Sequence, residues 1–286
     1  MTPNLATAAA ERTERALAEG ALAPIDTHAT LVRDGGEPFV VRVIDSLRRK
    51  RTAAGGVPEG DPFSPPYEPA LFLGDLTATH AVLLNKFPVL REHLLLVTRT
   101  YEDQEEALTA ADCEALLLGL AEIEGLAFYN GGHVAGASQP HKHLQLVPLP
   151  LSDTGPPLPA ADALAATRFD GELGRTPAWP FPHRIARLEP DWLRDPAAGG
   201  AALAARYRRM LAALGCSDDR TGTTPRPYNL LANREWLWMV PRSRECAAGV
   251  SVNALGFAGT LLVPDDRKRD DLLRAGPMRV LAEVCE

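Results

Sequence analysis

The chain has 286 residues, of which 45% are hydrophobic and 23% charged, and its formal net charge is −7. This composition excludes a disordered, collagen-like or coiled-coil protein, and the length allows one large domain. The negative charge argues against binding to duplex nucleic acid or to an anionic membrane, because both partners favour a basic surface. No apolar run approaches the roughly 20 residues that cross a bilayer.

The spacing of the cysteines indicates the cellular compartment in which the protein works. They are widely separated and form no CxxC pair, which argues against a disulfide framework or a zinc knuckle. The first 20 residues are charged and contain no apolar signal core. We therefore expect a cytoplasmic protein. The four positions are Cys113, Cys216, Cys246 and Cys285.

The first half of the chain alternates helix and strand patterns. An Ala-rich helix is predicted over 3–20, and a Gly/Pro-rich loop over 51–69 follows an apolar and then basic segment at 39–50. A second helix, over 109–125, begins at a Thr-x-x-Asp cap. The predicted strands are 71–73, 81–84, 93–97, 126–130 and 141–147.

The second half begins with a compositional change. Residues 148–200 are rich in Pro, Gly and Asp, and we expect an insertion that wraps the surface with little regular structure. The patterns that follow predict a helix at 201–214, strands at 228–231, 236–240 and 261–263, and a C-terminal helix interrupted at 276–277. Without a regular βαβ alternation, these elements predict an α+β fold with a mainly antiparallel sheet.

Chemistry concentrates in the segment NGGHVAGASQPHKHLQLVP. Alternation along a strand puts His141, His143 and Gln145 on one face, with Lys142 on the other. The small-residue turn at 136–139 is suited to presenting backbone N–H groups to an anion. A neutral imidazole can attack phosphorus when its far nitrogen is fixed by a hydrogen bond. The segment therefore predicts phosphoryl or nucleotidyl transfer.

Two other interpretations of this segment stay open on residue pattern alone. Histidines two residues apart on a strand are also a pattern of metal ligands, although no third His or Cys follows at motif spacing. His133 and His183 are the remaining histidines within reach of the segment. The segment also fits a structural hairpin with solvent-exposed histidines.

The segment resembles the His-x-His-x-Gln variant of the histidine-triad (HIT-like) superfamily. Its wider block, NGGHVAGASQPHKHLQ, is similar to the diadenosine tetraphosphate phosphorylases, also called ATP adenylyltransferases. Three further blocks agree: LLNKFPV with EHLLLVT, then REWLWMVPRSR, then VNALGFAGTLLV. The galactose-1-phosphate uridylyltransferases share the His-x-His-x-Gln core without these flanking blocks. The resemblance implies one HIT-like catalytic domain over 1–286, with an antiparallel sheet packed against helices.

The resemblance also implies a reaction, in which inorganic phosphate cleaves a dinucleoside tetraphosphate into ATP and ADP. His143 is then the nucleophile that holds AMP, Gln145 binds the phosphate, and His141 orients the strand. The remaining polyphosphate and nucleotide contacts fall on Lys50, Asn85, Lys86, Asn130, Gly136, Ala137, Ser138, Gln139, Asn253, Ala254 and Leu255. Thr260 and Pro264 depart from the family's Met and Lys, which removes one cationic contact to the second nucleotide.

No protein-bound cofactor is expected, and any Mg²⁺ should arrive with the nucleotide. Lys142 is expected to be solvated or part of the framework. Arg234, Arg242 and Arg244 are expected to be surface charges, with anion contacts as the alternative. Core packing is expected for at least one of Trp236, Trp238 and Met239, which otherwise have the spacing to stack on a base. A hydrolase that uses water, a non-catalytic nucleotide sensor and a uridylyltransferase are the alternative functions.

Overall fold

The structure, a computed structural model, describes residues 4–44, 60–217 and 225–286. The helices in these ranges are α1 (Leu5–Ala18), α2 (Ala110–Glu122), α3 (Ala161–Ala165), α4 (Pro190–Arg194), α5 (Pro196–Ala213), α6 (Ala254–Phe257), α7 (Asp266–Ala275) and α8 (Pro277–Glu283). The strands are β1 (Thr27–Asp34), β2 (Glu37–Ile44), β3 (Phe72–Asp75), β4 (His80–Leu84), β5 (Leu94–Thr98), β6 (Gly125–Gly131), β7 (His143–Pro148), β8 (Arg168–Asp170), β9 (Leu173–Arg175), β10 (Arg184–Arg187), β11 (Tyr228–Ala232), β12 (Trp236–Pro241), β13 (Cys246–Ala247), β14 (Val250–Ser251) and β15 (Thr260–Val263).

A ten-stranded antiparallel sheet carries the fold, in the order β3-β4-β5-β7-β6-β11-β12-β10-β9-β8. One face, which we call the helix face, packs Tyr129, Leu144 and Met239 against α1, α2 and α5. The opposite face, which we call the site face, packs Phe128 and Trp238 against β2, β15, α6 and α8. The predicted α+β class with a mainly antiparallel sheet is confirmed.

Local sequence signals explain where α2 begins. The Thr109 side chain accepts a hydrogen bond from the N–H of Asp112, whose carboxylate accepts one from the N–H of Thr109. This reciprocal pair satisfies two N–H groups that the first helical turn leaves unpaired, and it is the cap predicted from sequence. The helix ends at Glu122, three residues before the predicted end.

A second sheet covers part of the site face. β1 and β2 form a hairpin whose turn, Gly35-Gly36, has positive φ angles of 61° and 88°. β15 then pairs parallel with β2, from Thr260 opposite Val40 to Val263 opposite Val43. β15 was predicted from sequence and this hairpin was not, although Gly-Gly between two alternating segments is a hairpin signal.

The prediction of little regular structure over 148–200 was wrong. This stretch contains α3, β8, β9, β10 and α4, and β10 pairs with β12 and extends the main sheet. The three strands have only three or four residues each, and strands this short are set by the neighbouring strand more than by their own composition. The next helix also begins earlier than predicted, at Pro196 after an Asp195 cap.

Candidate active site

β7 lies between β5 and β6, so its side chains are well inside the main sheet. His143 pairs with Val97 and Gln145 with Leu95 across β5, and both point to the site face. Leu144 points to the helix face and packs in the core there. The predicted alternation of the motif is therefore confirmed, and the strand begins at His143, two residues later than predicted.

His143 is held as a neutral imidazole. Its Nδ1 lies 2.8 Å from the backbone oxygen of His141. Because a carbonyl oxygen can only accept, the ring proton must be on Nδ1, which leaves a lone pair on Nε2. Burial lowers the pKa of His143 to about 4, although the hydrogen bond to the backbone of His141 raises it and the charge of the His141 ring lowers it. The centroid of the Phe63 ring lies 4.9 Å from that of the imidazole, and His143 is 3% exposed.

His141 is fixed at both ring nitrogens. Nδ1 lies 2.5 Å from the Asp61 carboxylate, and Nε2 donates to the backbone oxygen of Thr98 at 2.7 Å. Although burial raises the pKa of Asp61, hydrogen bonds from Ser64 and His141 lower it below the ordinary value. Neither nitrogen of His141 is available to attack a substrate. Its position fits the orienting role implied by the family, since its backbone oxygen selects the tautomer of His143.

His93 orients Gln145, and no sequence pattern had assigned His93 to the site. His93 Nε2 donates to Gln145 Oε1 at 2.9 Å, and Asn85 Nδ2 donates to His93 Nδ1 at 3.2 Å. Burial lowers the pKa of His93 to about 4, which keeps it neutral and able to play both roles. Since the oxygen of Gln145 is occupied by His93, its amide N–H₂ is the end left to donate to a phosphate. The sequence feature that could have identified His93 is a lone imidazole at the start of the apolar run HLLLVT.

A second group of predicted residues meets around Asn130, at the end of β6. Asn130 Oδ1 accepts hydrogen bonds from Asn229 Nδ2 and from the backbone N–H of Ala254, each at 2.9 Å. Gly136 has a φ of +91°, and a Cβ there would lie 2.9 Å from the Cβ of Asn253. Only long-range folding brings these positions together, because Asn229 and Ala254 follow Asn130 by 99 and 124 residues in the chain.

Arg242 holds this second group in place and corrects the surface assignment made from sequence. It is 5% exposed and donates to Asn229 Oδ1 at 2.6 Å and to the backbone oxygen of Val252 at 2.8 Å. Further hydrogen bonds reach the backbone oxygens of Ala135 and Arg244. A guanidinium offers five N–H donors in a fixed plane, which suits one residue to join several segments.

Gln104 connects the residues around His143 with those around Asn130. Its Nε2 donates to the backbone oxygen of Asn130 at 2.8 Å, and its Oε1 accepts from the backbone N–H of His143 at 2.8 Å. The regular pairing of β6 with β7 ends at Phe128 and Gln145, so the Gln104 amide replaces strand-to-strand bonds where the two strands separate. No pattern in the sequence indicated this role.

The turn at 136–139 differs in detail from the expected anion cradle. The N–H groups of Gly136 and Ala137 bond within the turn, to the backbone oxygens of His133 and Gly132. Ser138 is exposed and Gln139 is half-buried, so these two residues are better placed to meet a ligand. Asn253 caps α6 through the N–H of Leu255.

The lysines have different surroundings. Lys50 lies outside the described residues. Lys86 follows Asn85, is half-exposed and pairs with Glu68 at 2.9 Å. Lys142 is 1% exposed, so the expectation that it is solvated was wrong, and the framework alternative is the one the structure supports. Its Nζ lies 2.5 Å from Glu102 and 3.7 Å from Asp112 beneath β7.

The remaining aromatic and basic candidates are either buried in the core or exposed at the surface. Trp236, Trp238 and Met239 are all buried, as expected for core packing. The Arg234 side chain is exposed and binds the last carbonyls of α2, and Arg244 is exposed. Thr260, one of the two departures from the family pattern, is buried in β15.

The fold thus places a buried histidine on a central strand of an antiparallel sheet. The model of the Ap4A phosphorylase N-terminal domain matches residues 1–166, and that of the ATP adenylyltransferase C-terminal domain matches residues 177–286. The chain belongs to the Ap4A phosphorylase (ATP adenylyltransferase) family.

Two yeast proteins illustrate the relationship. The chain is 31% identical over 237 residues to diadenosine 5',5'''-P1,P4-tetraphosphate phosphorylase 2 of Saccharomyces cerevisiae, covering 74% of this chain and 71% of the yeast protein. It is 29% identical over 289 residues to the yeast protein APA1, covering 92% and 88%. The crystal structure of yeast Ap4A phosphorylase Apa2 in complex with Ap4A superposes with a TM-score of 0.80 at 25% identity, covering 100% of this chain and 98% of Apa2. No helix in the described ranges is long and apolar enough to cross a membrane.

Proposed function

We propose that the chain cleaves diadenosine tetraphosphate with inorganic phosphate to give ATP and ADP, through a covalent AMP intermediate on His143. The observation that carries this proposal is the fixed tautomer of His143, whose Nδ1 donates to the backbone oxygen of His141 at 2.8 Å. Membership of the family supports the substrate class. The proposal keeps the cytoplasmic location predicted from sequence, and it takes any Mg²⁺ to arrive with the nucleotide.

The first step forms a phosphorus–nitrogen bond. Nε2 of His143 attacks the α-phosphorus, the bond from that phosphorus to the bridging oxygen breaks, and ATP leaves. Nδ1 keeps its proton and its hydrogen bond, so the positive charge that develops on the ring is shared with the backbone oxygen of His141. The amide of Gln145 donates to a phosphate oxygen where negative charge increases.

The second step transfers AMP to phosphate. An oxygen of inorganic phosphate attacks the same phosphorus, the phosphorus–nitrogen bond breaks, and ADP leaves. His143 returns to its neutral form, which its low pKa favours. We propose that Asn130, Ser138, Gln139 and Asn253 contact the polyphosphate or nucleotide during both steps, with Lys50, Asn85 and Lys86 near the leaving chain.

Product analysis with and without phosphate tests the reaction. The expected result is ATP and ADP in equal amounts only when phosphate is present. ATP and AMP without phosphate would instead indicate a hydrolase, and absence of turnover in both reactions would favour a nucleotide sensor or a uridylyltransferase.

His143→Ala tests the intermediate. Turnover should fall by several orders of magnitude, because the variant removes the covalent route. Mass spectrometry of the wild-type chain with substrate and no phosphate should show an added adenylyl group that phosphate discharges. His183→Gln is the matched control, since it removes a buried histidine outside the site. Retention of near-normal turnover by His143→Ala would falsify the assignment.

A further inference from the structure

Three arginines lie side by side on adjacent strands at one end of the main sheet. Arg168 of β8 is opposite Arg175 of β9. β9 meets β10 at Gly174 and Ile185, so the antiparallel register puts Arg184 opposite Arg175. We call Arg168, Arg175 and Arg184 the arginine row. Because neighbouring strands are about 4.8 Å apart, the row extends over roughly 10 Å.

The arginine row is separate from the active site. Arg184 pairs with Met239, which belongs to the helix face, whereas His143 points to the site face. Four strand spacings separate β10 from β7 in the sheet order, which corresponds to roughly 19 Å. A ligand on the row therefore lies across the sheet from the catalytic histidine.

The positive charge of the row is only partly balanced by the described carboxylates. None of the three arginines forms an ion pair with them, and the nearby Glu172 is occupied by Arg206 and Arg209. Asp170 lines the same groove and offsets part of the charge. Burial and the charge of Arg175 lower the pKa of Arg184, which is consistent with close approach of the two guanidinium groups.

Like charges directly opposite on paired strands destabilise the pair. The three neighbouring arginines therefore repel one another when no ligand is bound. A bound anion would replace this repulsion with attraction between the anion and each guanidinium. The row lines a groove of about 660 Å³ together with Asp170, Leu173 and Thr176. This volume lies within the range of sites that bind small molecules.

We propose that the arginine row is a second anion site, which binds the oligophosphate chain of a nucleoside triphosphate or of inorganic tripolyphosphate on the helix face. Guanidinium groups bind phosphate oxygens in pairs of parallel hydrogen bonds. Three of them spread over roughly 10 Å suit a chain of phosphates better than a single phosphate. The site is independent of the reaction proposed for His143.

Hydrogen–deuterium exchange of the full chain tests this site, because it locates binding along the sequence. Inorganic tripolyphosphate and ATP are added separately at matched ionic strength. Peptides from residues 167–187 should exchange more slowly, and peptides from 131–146 report the active site in the same experiment. Protection by tripolyphosphate alone assigns the site to inorganic chains, and protection by both assigns it to the phosphate chain of either source.

Variants test the role of the arginines. Arg168→Gln combined with Arg175→Gln should weaken binding at 167–187 by at least about tenfold while leaving turnover unchanged. The matched control combines Arg194→Gln with Arg279→Gln, which removes two exposed charges from α4 and α8. Absence of protection at 167–187 with both ligands, or protection that persists in the double variant, would overturn the proposal.

Discussion

At the scale of single residues, backbone oxygens and neutral side chains determine which atom of the site reacts. The backbone oxygen of His141 fixes the proton of His143 on Nδ1, and His93 fixes the amide of Gln145. Both supporting histidines are buried, so their hydrogen bonds are shielded from competition with water. The reactive nitrogen and the phosphate-binding amide are thereby oriented before substrate arrives.

The pKa of His143 predicts the acid limit of the first step. Only the neutral imidazole attacks, and burial lowers its pKa from 6.5 to about 4. We therefore expect the single-turnover rate of ATP release, measured without phosphate, to be constant from pH 8 to about 5 and to fall below about pH 4. Brief assays followed by a return to pH 7 control for irreversible unfolding. An acid limit near pH 6.5 would contradict a buried nucleophile.

His93 should act through Gln145. Gln145→Ala removes a hydrogen bond that increases in strength during reaction, and we expect a loss of about 2–4 kcal/mol, or roughly 30- to 1000-fold in kcat. His93→Ala should lower kcat by roughly 10- to 100-fold, as supporting residues commonly do. If His93 only positions Gln145, the double variant should be no slower than Gln145→Ala alone. Additive losses would indicate a separate role for His93.

The sequence predicted the reacting residues of the site better than their supports. His143 and Gln145 share β7 and His141 lies just before it, so alternation alone places His143 and Gln145 on one face. Asp61 and Gln104 come from loops 80 and 39 residues before their histidine partners, and their roles depend on chain packing. Only the tertiary structure could reveal these contacts.

At the scale of elements, one buried arginine joins the segments that carry the second half of the site. Arg242 connects β11, the turn before Gly136 and the chain leading to α6 through hydrogen bonds to Asn229, Ala135 and Val252. Asn229 in turn binds Asn130 at the end of β6. Three separate stretches of the chain, around 130–135, 229 and 252, are therefore joined through a single guanidinium.

Replacement of Arg242 should destabilise the protein strongly. Arg242→Met fills a similar volume but leaves several buried oxygens unpaired, and we expect a loss of at least about 3 kcal/mol in the free energy of unfolding. Arg234→Met is the matched control, since Arg234 is exposed and binds only the carbonyls at the end of α2. Urea denaturation followed by fluorescence measures both. Equal, small losses for the two variants would contradict the role of Arg242.

Elements marked by a helix cap or by a continuous apolar run were predicted well, whereas β8, β9 and β10 were not. α2 has a capping box and a leucine-rich run, and β4 and β5 are continuous apolar segments. β8, β9 and β10 have three or four residues and obtain their register from β12. Such strands contain too few residues for periodicity to be detected, which is why this part of the sheet was not predicted.

At the scale of the whole molecule, buried histidines link folding to pH. Burial lowers the pKa values of His93, His143 and His183 to about 4 from an ordinary value of 6.5. The folded state therefore binds these protons less readily than the unfolded state. The stability that each neutral histidine contributes is complete above about pH 6.5 and is lost as pH falls toward 4.

His183 allows this dependence to be measured away from the active site. Its Nδ1 donates to the backbone oxygen of Phe181, and its Nε2 accepts from the N–H of Thr176. His183→Gln can make both hydrogen bonds without titrating. The wild-type free energy of unfolding should fall by roughly 3 kcal/mol more than that of the variant between pH 7 and pH 4. Parallel curves from urea denaturation would contradict a low pKa for His183.

The parallel pairing of β2 with β15 has a consequence for synthesis. Val40 and Thr260 are neighbours in the finished sheet, but about 220 residues of chain separate them. At roughly 5–20 residues per second, the ribosome needs on the order of 10–40 s to supply the missing partner strand. During that interval the apolar edge of β2 has no strand beside it and is open to pairing with other chains. The risk of aggregation in the nascent protein is therefore set by translation time as well as by the stability of the completed fold.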